Sequence, residues 1–143
     1  MNIRPFYAGD IDAIMRIVDT SIEDRYTPDF FLGLWEVAPK GFFVAEINEV
    51  VVGLILAVLT DIGTLRILMV CVASKYRKQG IATALISTVV NTHKVHTVYL
   101  EVKTVNKTAI NLYQRNGFEI TEVLFDFYPD GSNAYRMEKT MVK

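Results

Sequence analysis

One junction limits what this chain can fold into more than any other: the stretch from Ile67 to Ile86, ILMVCVASKYRKQGIATALI. Ile67 to Ala73 is an unbroken apolar run, the pattern of a strand covered on both faces. Ser74 to Gln79 is polar and carries Lys75, Arg77 and Lys78. Gly80 opens the next segment, where Ile81, Leu85, Ile86, Val89 and Val90 recur at helical spacing. A strand that enters a helix through a basic, glycine-containing turn has a physical use. The first N–H groups of a helix lack internal partners, and the helix dipole places partial positive charge there. An anion, phosphate above all, can take those donors. Gly80 has no Cβ to hold a ligand off, and Arg77 and Lys78 add positive charge at the same point. The plain alternative is a strand–loop–helix junction with solvated cations. The three glycines of a dinucleotide fingerprint and the Gly-Lys-Ser/Thr of a P-loop are both missing from this turn.

The 143 residues amount to one domain, 1–143, and 51% of them are hydrophobic, enough for a well-filled interior. A net charge of −1 gives no electrostatic reason to expect nucleic acid or a membrane surface as partner. The longest apolar stretch, Val50 to Leu59, contains Gly53 and is too short to span a bilayer. The first residues, MNIRPFYAGD, lack a signal-peptide pattern. Cys71 is the single cysteine, so no disulfide can close within the chain, and a cytoplasmic location is expected.

Asn2 to Phe6 reads as a short strand. Asp10 is placed to cap a first helix, with Ile11, Ile14, Met15, Val18 and Ile22 as its buried stripe. Thr27-Pro28 has the form of an N-cap and first-turn proline, opening a second helix through Trp35. Its face of Phe30, Phe31, Leu34 and Trp35 either packs in the core or lines part of a substrate groove. Strands follow at Gly41 to Ile47, Val50 to Leu59 and Thr64 to Ala73, the first two joined by a tight hairpin at Asn48-Glu49. After the Gly80 helix, His96 to Lys103 alternates as a strand, with Tyr99, Glu101 and Lys103 on one face. Asn106 caps a fourth helix that stops at Asn116-Gly117. Phe118 to Asp126 and Ala134 to Met141 are the last strands. The order β-α-α-β-β-β-α-β-α-β-β predicts an α/β (α+β) fold with a mixed sheet and helices on both faces.

Arg77-Lys78-Gln79-Gly80-Ile81-Ala82 closely resembles the acetyl-CoA signature of the GNAT acetyltransferases, Gln/Arg-x-x-Gly-x-Gly/Ala. Leu100-Glu101-Val102, Asn106, Ala109, Leu112-Tyr113 and Gly117-Phe118 resemble the second motif of that family. They are similar in particular to the N-terminal (α-amino) acetyltransferases: the bacterial ribosomal-protein alanine acetyltransferases and their archaeal and eukaryotic relatives. Phe127-Tyr128-Pro129-Asp130-Gly131 with Ala134-Tyr135 and Met137 is similar to the tail of the same group. The sequence departs from it at Phe127, which lacks the hydroxyl of the usual tyrosine. It also departs at Glu101, where many archaeal and eukaryotic relatives carry histidine and the bacterial enzymes glutamate.

The resemblance implies a mostly antiparallel sheet that splays between its fourth and fifth strands to admit acetyl-CoA, with no metal. It implies that backbone groups of Val70 and Val72 pair with the pantetheine arm. Arg77, Lys78, Gln79, Gly80, Ile81, Ala82 and Thr83 would hold the pyrophosphate, and Asn106 would add a CoA contact to its capping role. The acceptor would be a protein or peptide N-terminus, with a homodimer or a partner subunit left open. Glu23, Tyr26 and Tyr128 would flank that amino end, Glu23 offering negative charge to an ammonium.

Acetyl transfer to an amine requires a neutral nucleophile. Deprotonation at pH 7 costs about 1 kcal/mol for an α-amino group and about 4.6 kcal/mol for a lysine, so a modest base suffices for the former. Glu101 is the candidate base; otherwise it is a strand carboxylate, paired for example with Lys103. Tyr113 is the candidate acid for the departing thiolate; otherwise its ring packs with Ile110 and Leu112. Cys71, inside an apolar strand, is expected in the core rather than as an acyl carrier. His93 and His96 lack the acidic or thiol companions of a metal site. A lysine side chain or a small amine as acceptor, and a non-catalytic acyl-CoA-binding subunit, are the rival readings.

Overall fold

The computed structural model describes residues 1–21 and 25–141. Among the described residues, seven strands and four α-helices follow one another: β1 Asn2–Pro5, α1 Ile11–Ser21, α2 Pro28–Val37, β2 Phe42–Ile47, β3 Val50–Asp61, β4 Thr64–Val72, α3 Ile81–Thr92, β5 Thr97–Lys103, α4 Lys107–Arg115, β6 Glu119–Leu124 and β7 Ala134–Thr140. The strand order is β1-β2-β3-β4-β5-β7-β6. β1–β2, β2–β3, β5–β7 and β6–β7 pair antiparallel, whereas β4 and β5 run parallel. The expected mixed, mostly antiparallel sheet is therefore present. No helix among the described residues is long and apolar enough to cross a membrane.

The chain divides into two compact units, Met1–Val58 with Met69–His93, and Leu59–Leu68 with Lys94–Lys143. In the first unit, the Asn48-Glu49 turn has positive φ at both residues (50° and 67°), the conformation that suits the right-handed twist of a two-residue hairpin. Thr27 caps α2 as expected, its hydroxyl accepting the Phe30 N–H at 3.2 Å, with Pro28 in the first turn. Asp10 does not cap α1. It ends a short 3-10 turn, Ala8–Asp10, and its carboxylate accepts the Tyr7 N–H at 3.1 Å and both terminal nitrogens of Arg4. Asp10 is almost fully buried, so this fork-to-fork pairing supplies the partner a buried charge requires. With Asp10 foremost and Glu46 adding to it, the guanidinium of Arg4 is held still more firmly protonated.

The buried stripe of α1 is Ile14, Ile17 and Val18, while Ile11 and Met15 are only half-buried. The expected stripe is thus rotated on the helix: Ile17 takes the core position given to Met15. Ile22 lies outside the described residues. Phe6 stacks flat on Phe42 at 4.0 Å and meets the edge of Trp35 at 5.4 Å, so part of the aromatic face of α2 is core. Phe31 is fully buried, whereas Phe30 is 39% exposed. In α3, Ile81, Leu85, Ile86, Val89 and Val90 are buried as their spacing predicts.

In the second unit, Val98, Leu100 and Val102 of β5 are buried and Tyr99, Glu101 and Lys103 are half-buried, the expected alternation. α4 closes with Gly117 at φ 91°, the Phe118 N–H reaching the Tyr113 carbonyl and the Gly117 N–H the Gln114 carbonyl, both at 3.0 Å. That double bond pattern needs a left-handed residue, which glycine adopts without strain. The β6–β7 connection is ordered by Asp130. Its Oδ1 accepts the Ser132 hydroxyl at 2.6 Å and the Ser132 N–H at 2.9 Å, and its Oδ2 accepts Lys103 Nζ at 3.3 Å.

Two outcomes follow from this packing. A Cβ on Gly41 would run into the backbone carbonyl of Ala57, whereas one on Gly33, inside α2, meets nothing within 4 Å. In thermal melts, Gly41→Ala is expected to lose about 3 kcal/mol through overpacking, and Gly33→Ala to gain about 1 kcal/mol from helix propensity. The bonds from Ser132, then Lys103, hold the Asp130 carboxyl down at about 2, against about 3.9 for a free aspartate. What these bonds add to the folded state is fully present above the unfolded value and is lost as pH falls through about 2. A carbon-13 NMR titration of the Asp130 carboxyl checks this; a midpoint near 3.9 would contradict it.

Candidate active site

β4 leads into the turn that the sequence marks as an anion site. Its apolar run is less evenly covered than expected: Ile67, Met69 and Cys71 are buried, while Leu68 and Val70 on the other face are only half-buried. The strand end is pinned on the β3 side, where the Ala73 N–H donates to the Val52 carbonyl at 2.8 Å. Arg77 folds back, its Nε donating to the Val72 carbonyl at 3.1 Å, so one signature cation anchors the turn to β4. Lys78 stands at φ 63° and Gly80 at φ 81°. For lysine a left-handed backbone costs roughly 1–2 kcal/mol. Backbone that alternates into this region gathers N–H groups into an anion-binding concavity.

Gly80 is the N-cap of α3, which has no side-chain cap. A Cβ there would meet nothing within 4 Å of this chain, so glycine is required by its φ and leaves open space before the helix start. Arg77, Lys78 and Gln79 are exposed, Ile81 is buried as the anchor, and Ala82 and Thr83 complete the first helical turn. Charge, backbone conformation and open space therefore suit a diphosphate. Cys71, by contrast, is buried, and burial pushes its thiol pKa up despite opposing contributions from Ser21 and Arg77. That places it in the core, as its sequence context suggests. Tyr26 is half-buried, its ring tilted against Phe30 at 5.0 Å and Phe31 at 5.9 Å. Glu23 lies outside the described residues.

The parallel β4–β5 ladder holds three pairs, Thr64↔Thr97, Leu65↔Val98 and Arg66↔Tyr99. Beyond it β5 continues to Lys103, fully paired with β7. Glu101 lies on this continuation. Its side chain is 11% exposed and takes Arg66 Nη2 at 2.8 Å and Nε at 3.0 Å, both on Oε1. Lys103, the partner considered from sequence, bonds Asp130 instead and lies 5.3 Å from the centre of the Tyr128 ring. Tyr128 also meets Phe127 edge-on at 5.0 Å. Asn106 caps α4, its side chain accepting the Ala109 N–H at 3.2 Å. Tyr113 is half-buried, and its ring packs edge-on against Phe118 at 6.0 Å. The two histidines have local roles: His93 Nδ1 is 2.7 Å from the Val89 carbonyl and His96 Nδ1 is 2.9 Å from the Thr97 hydroxyl.

Arg66 is the residue that sequence reasoning missed. The available signal was a lone arginine within an apolar strand, flanked by Leu65 and Ile67, which are both buried.

Comparison with known proteins identifies the family. The sequence family described as the acetyltransferase (GNAT) family matches residues 11–118, a span that includes the 77–82 turn, Glu101 and Tyr113. An uncharacterized N-acetyltransferase of Methanocaldococcus jannaschii is 35% identical, over 97% of this chain and 91% of its own. An N-alpha-acetyltransferase of Sulfurisphaera tokodaii is 34% identical, over 94% and 90% respectively. The crystal structure of Ard1 from Thermoplasma volcanium superposes with a TM-score of 0.92 at 34% identity, over 99% of this chain and 98% of that one. A family match across most of the chain, with relatives this similar over nearly its full length, establishes that the chain belongs to the GNAT acetyltransferase family.

Proposed function

We propose that this chain transfers the acetyl group of acetyl-CoA directly to the N-terminal α-amino group of a protein or peptide. The observation that carries the donor half is the left-handed turn at Lys78 and Gly80, opening onto an α3 start without a side-chain cap. The acceptor half is supported by the Sulfurisphaera relative, which bears the name N-alpha-acetyltransferase. When bound, acetyl-CoA supplies an activated acyl group as its thioester. In this reading the amides of Gln79 to Ala82, with Lys78, bind the diphosphate, and Arg77 fixes the turn to β4. Backbone groups of Val70 and Val72 orient the pantetheine arm, and an N–H near Val72 polarises the acyl carbonyl. Thr83 and Asn106 add CoA contacts.

Glu101, as a carboxylate, accepts the proton of the incoming ammonium, directly or through water. Tyr113 holds a proton at its phenol oxygen for the departing sulfur. By resemblance to the family, Glu23, Tyr26 and Tyr128 are the residues assigned to the amino end of the acceptor. The buried Cys71, its thiol pushed away from thiolate by burial, supports direct transfer without an acetyl-enzyme. With Cys71 as the single cysteine, a cytoplasmic site of action fits.

The test is acceptor chemistry. With labelled acetyl-CoA, a peptide library with free N-termini is expected to gain label at the α-nitrogen, located by mass spectrometry. The same peptides blocked at the N-terminus but containing lysine are expected to gain none. Label on the lysines alone would overturn the α-amino assignment.

A further inference from the structure

We propose that Arg66 is a positioning residue for the transfer, holding the Glu101 carboxylate in the orientation that meets the acceptor's amino group. The proposal rests on the reading of Glu101 as base. Arg66 occupies the last rung of the β4–β5 ladder, opposite Tyr99. Glu101 is two residues further along β5, on the same face as Tyr99, just where the ladder has ended. From that rung the guanidinium reaches Oε1 with Nε at 3.0 Å and Nη2 at 2.8 Å. Two charge-assisted bonds converging on one oxygen fix where that end of the carboxylate lies. Because both fall on Oε1, Oε2 is the oxygen assigned to take the acceptor's proton.

The other cations on this face are committed elsewhere. Lys103 bonds Asp130 and lies against Tyr128. Arg136, directly across from Glu101 on β7, has its guanidinium 3.9 Å from the Tyr99 ring centre and forms an ion pair with Glu138 at 3.5 Å. A carboxylate 11% exposed needs a fixed partner, and the structure gives it Arg66. Displacing a reacting group by about 1 Å can slow a reaction about 100-fold, so such a fixture bears on rate.

A mutant cycle in the α-amino transfer assay separates this role from a simple clip between strands. Arg66→Met is expected to lower kcat about 10–100-fold and leave the acetyl-CoA KM within about twofold. Arg66→Lys, with one donor point in place of a fork, is expected to recover only part of the loss. In a Glu101→Gln background, Arg66→Met is expected to change kcat by less than about twofold, because its effect passes through the missing carboxylate. The proposal is overturned if Arg66→Met keeps kcat within about twofold of the unaltered chain, or if its full loss recurs beside Glu101→Gln. If Arg66→Met does not melt cooperatively, Arg66→Gln carries the same cycle under the same criteria. A fully active Glu101→Gln removes the proposal while N-terminal transfer stands. An unaltered chain that labels no α-amino group removes both.

Discussion

The parallel pairing of β4 with β5 joins Thr64 to Arg66 with Thr97 to Tyr99, and the bond from Arg66 to Glu101 depends on that register. β5 does not end with that ladder: it remains paired to β7 from Thr97 to Lys103. β4 likewise continues to Val72 and is tied at its end to β3 through Ala73. Main-chain donors and acceptors seek partners, and an extended ligand can supply them along a strand edge. Glu101 lies two residues beyond Tyr99 on β5, where the side chain of Arg66 bonds it.

The turn after β4 is held by similarly local means. Arg77 gives its Nε to the Val72 carbonyl, and the exposed Lys78 stands two residues before the glycine. The left-handed lysine is unfavourable alone, and such strain persists where the surroundings over-determine it. Here the determinants are the Arg77 anchor on one side and the buried Ile81 and Leu85 of α3 on the other. A turn fixed before its ligand arrives loses little entropy on binding.

Much of this was legible in sequence wherever a local rule governs it. The period-two alternation of β5, the Thr27-Pro28 start of α2, the glycine stop after α4 and the turn at Asn48-Glu49 each follow from a few adjacent residues. The family motifs marked the 77–82 turn for the same reason. Long-range choices were not legible. Which cation meets Glu101 depends on the parallel register of β4, thirty-five residues away, and a lone arginine in an apolar strand does not by itself point to that partner. In the stripe of α1, Ile14 and Val18 are buried as their spacing predicts, but Met15 and Ile17 are both apolar and only the packing decides between them. Asp10 resembled a cap because it precedes a helix, but the nearby Arg4 claims its carboxylate.

The central claim is that the edge of β4 and the amides after Gln79 receive the acetyl donor. A titration of the isotope-labelled chain with coenzyme A, followed by amide NMR, tests it most directly. The largest shifts should fall on Val70, Val72 and Gln79 to Ala82. Saturable binding that leaves those amides unmoved and shifts another surface would contradict the account.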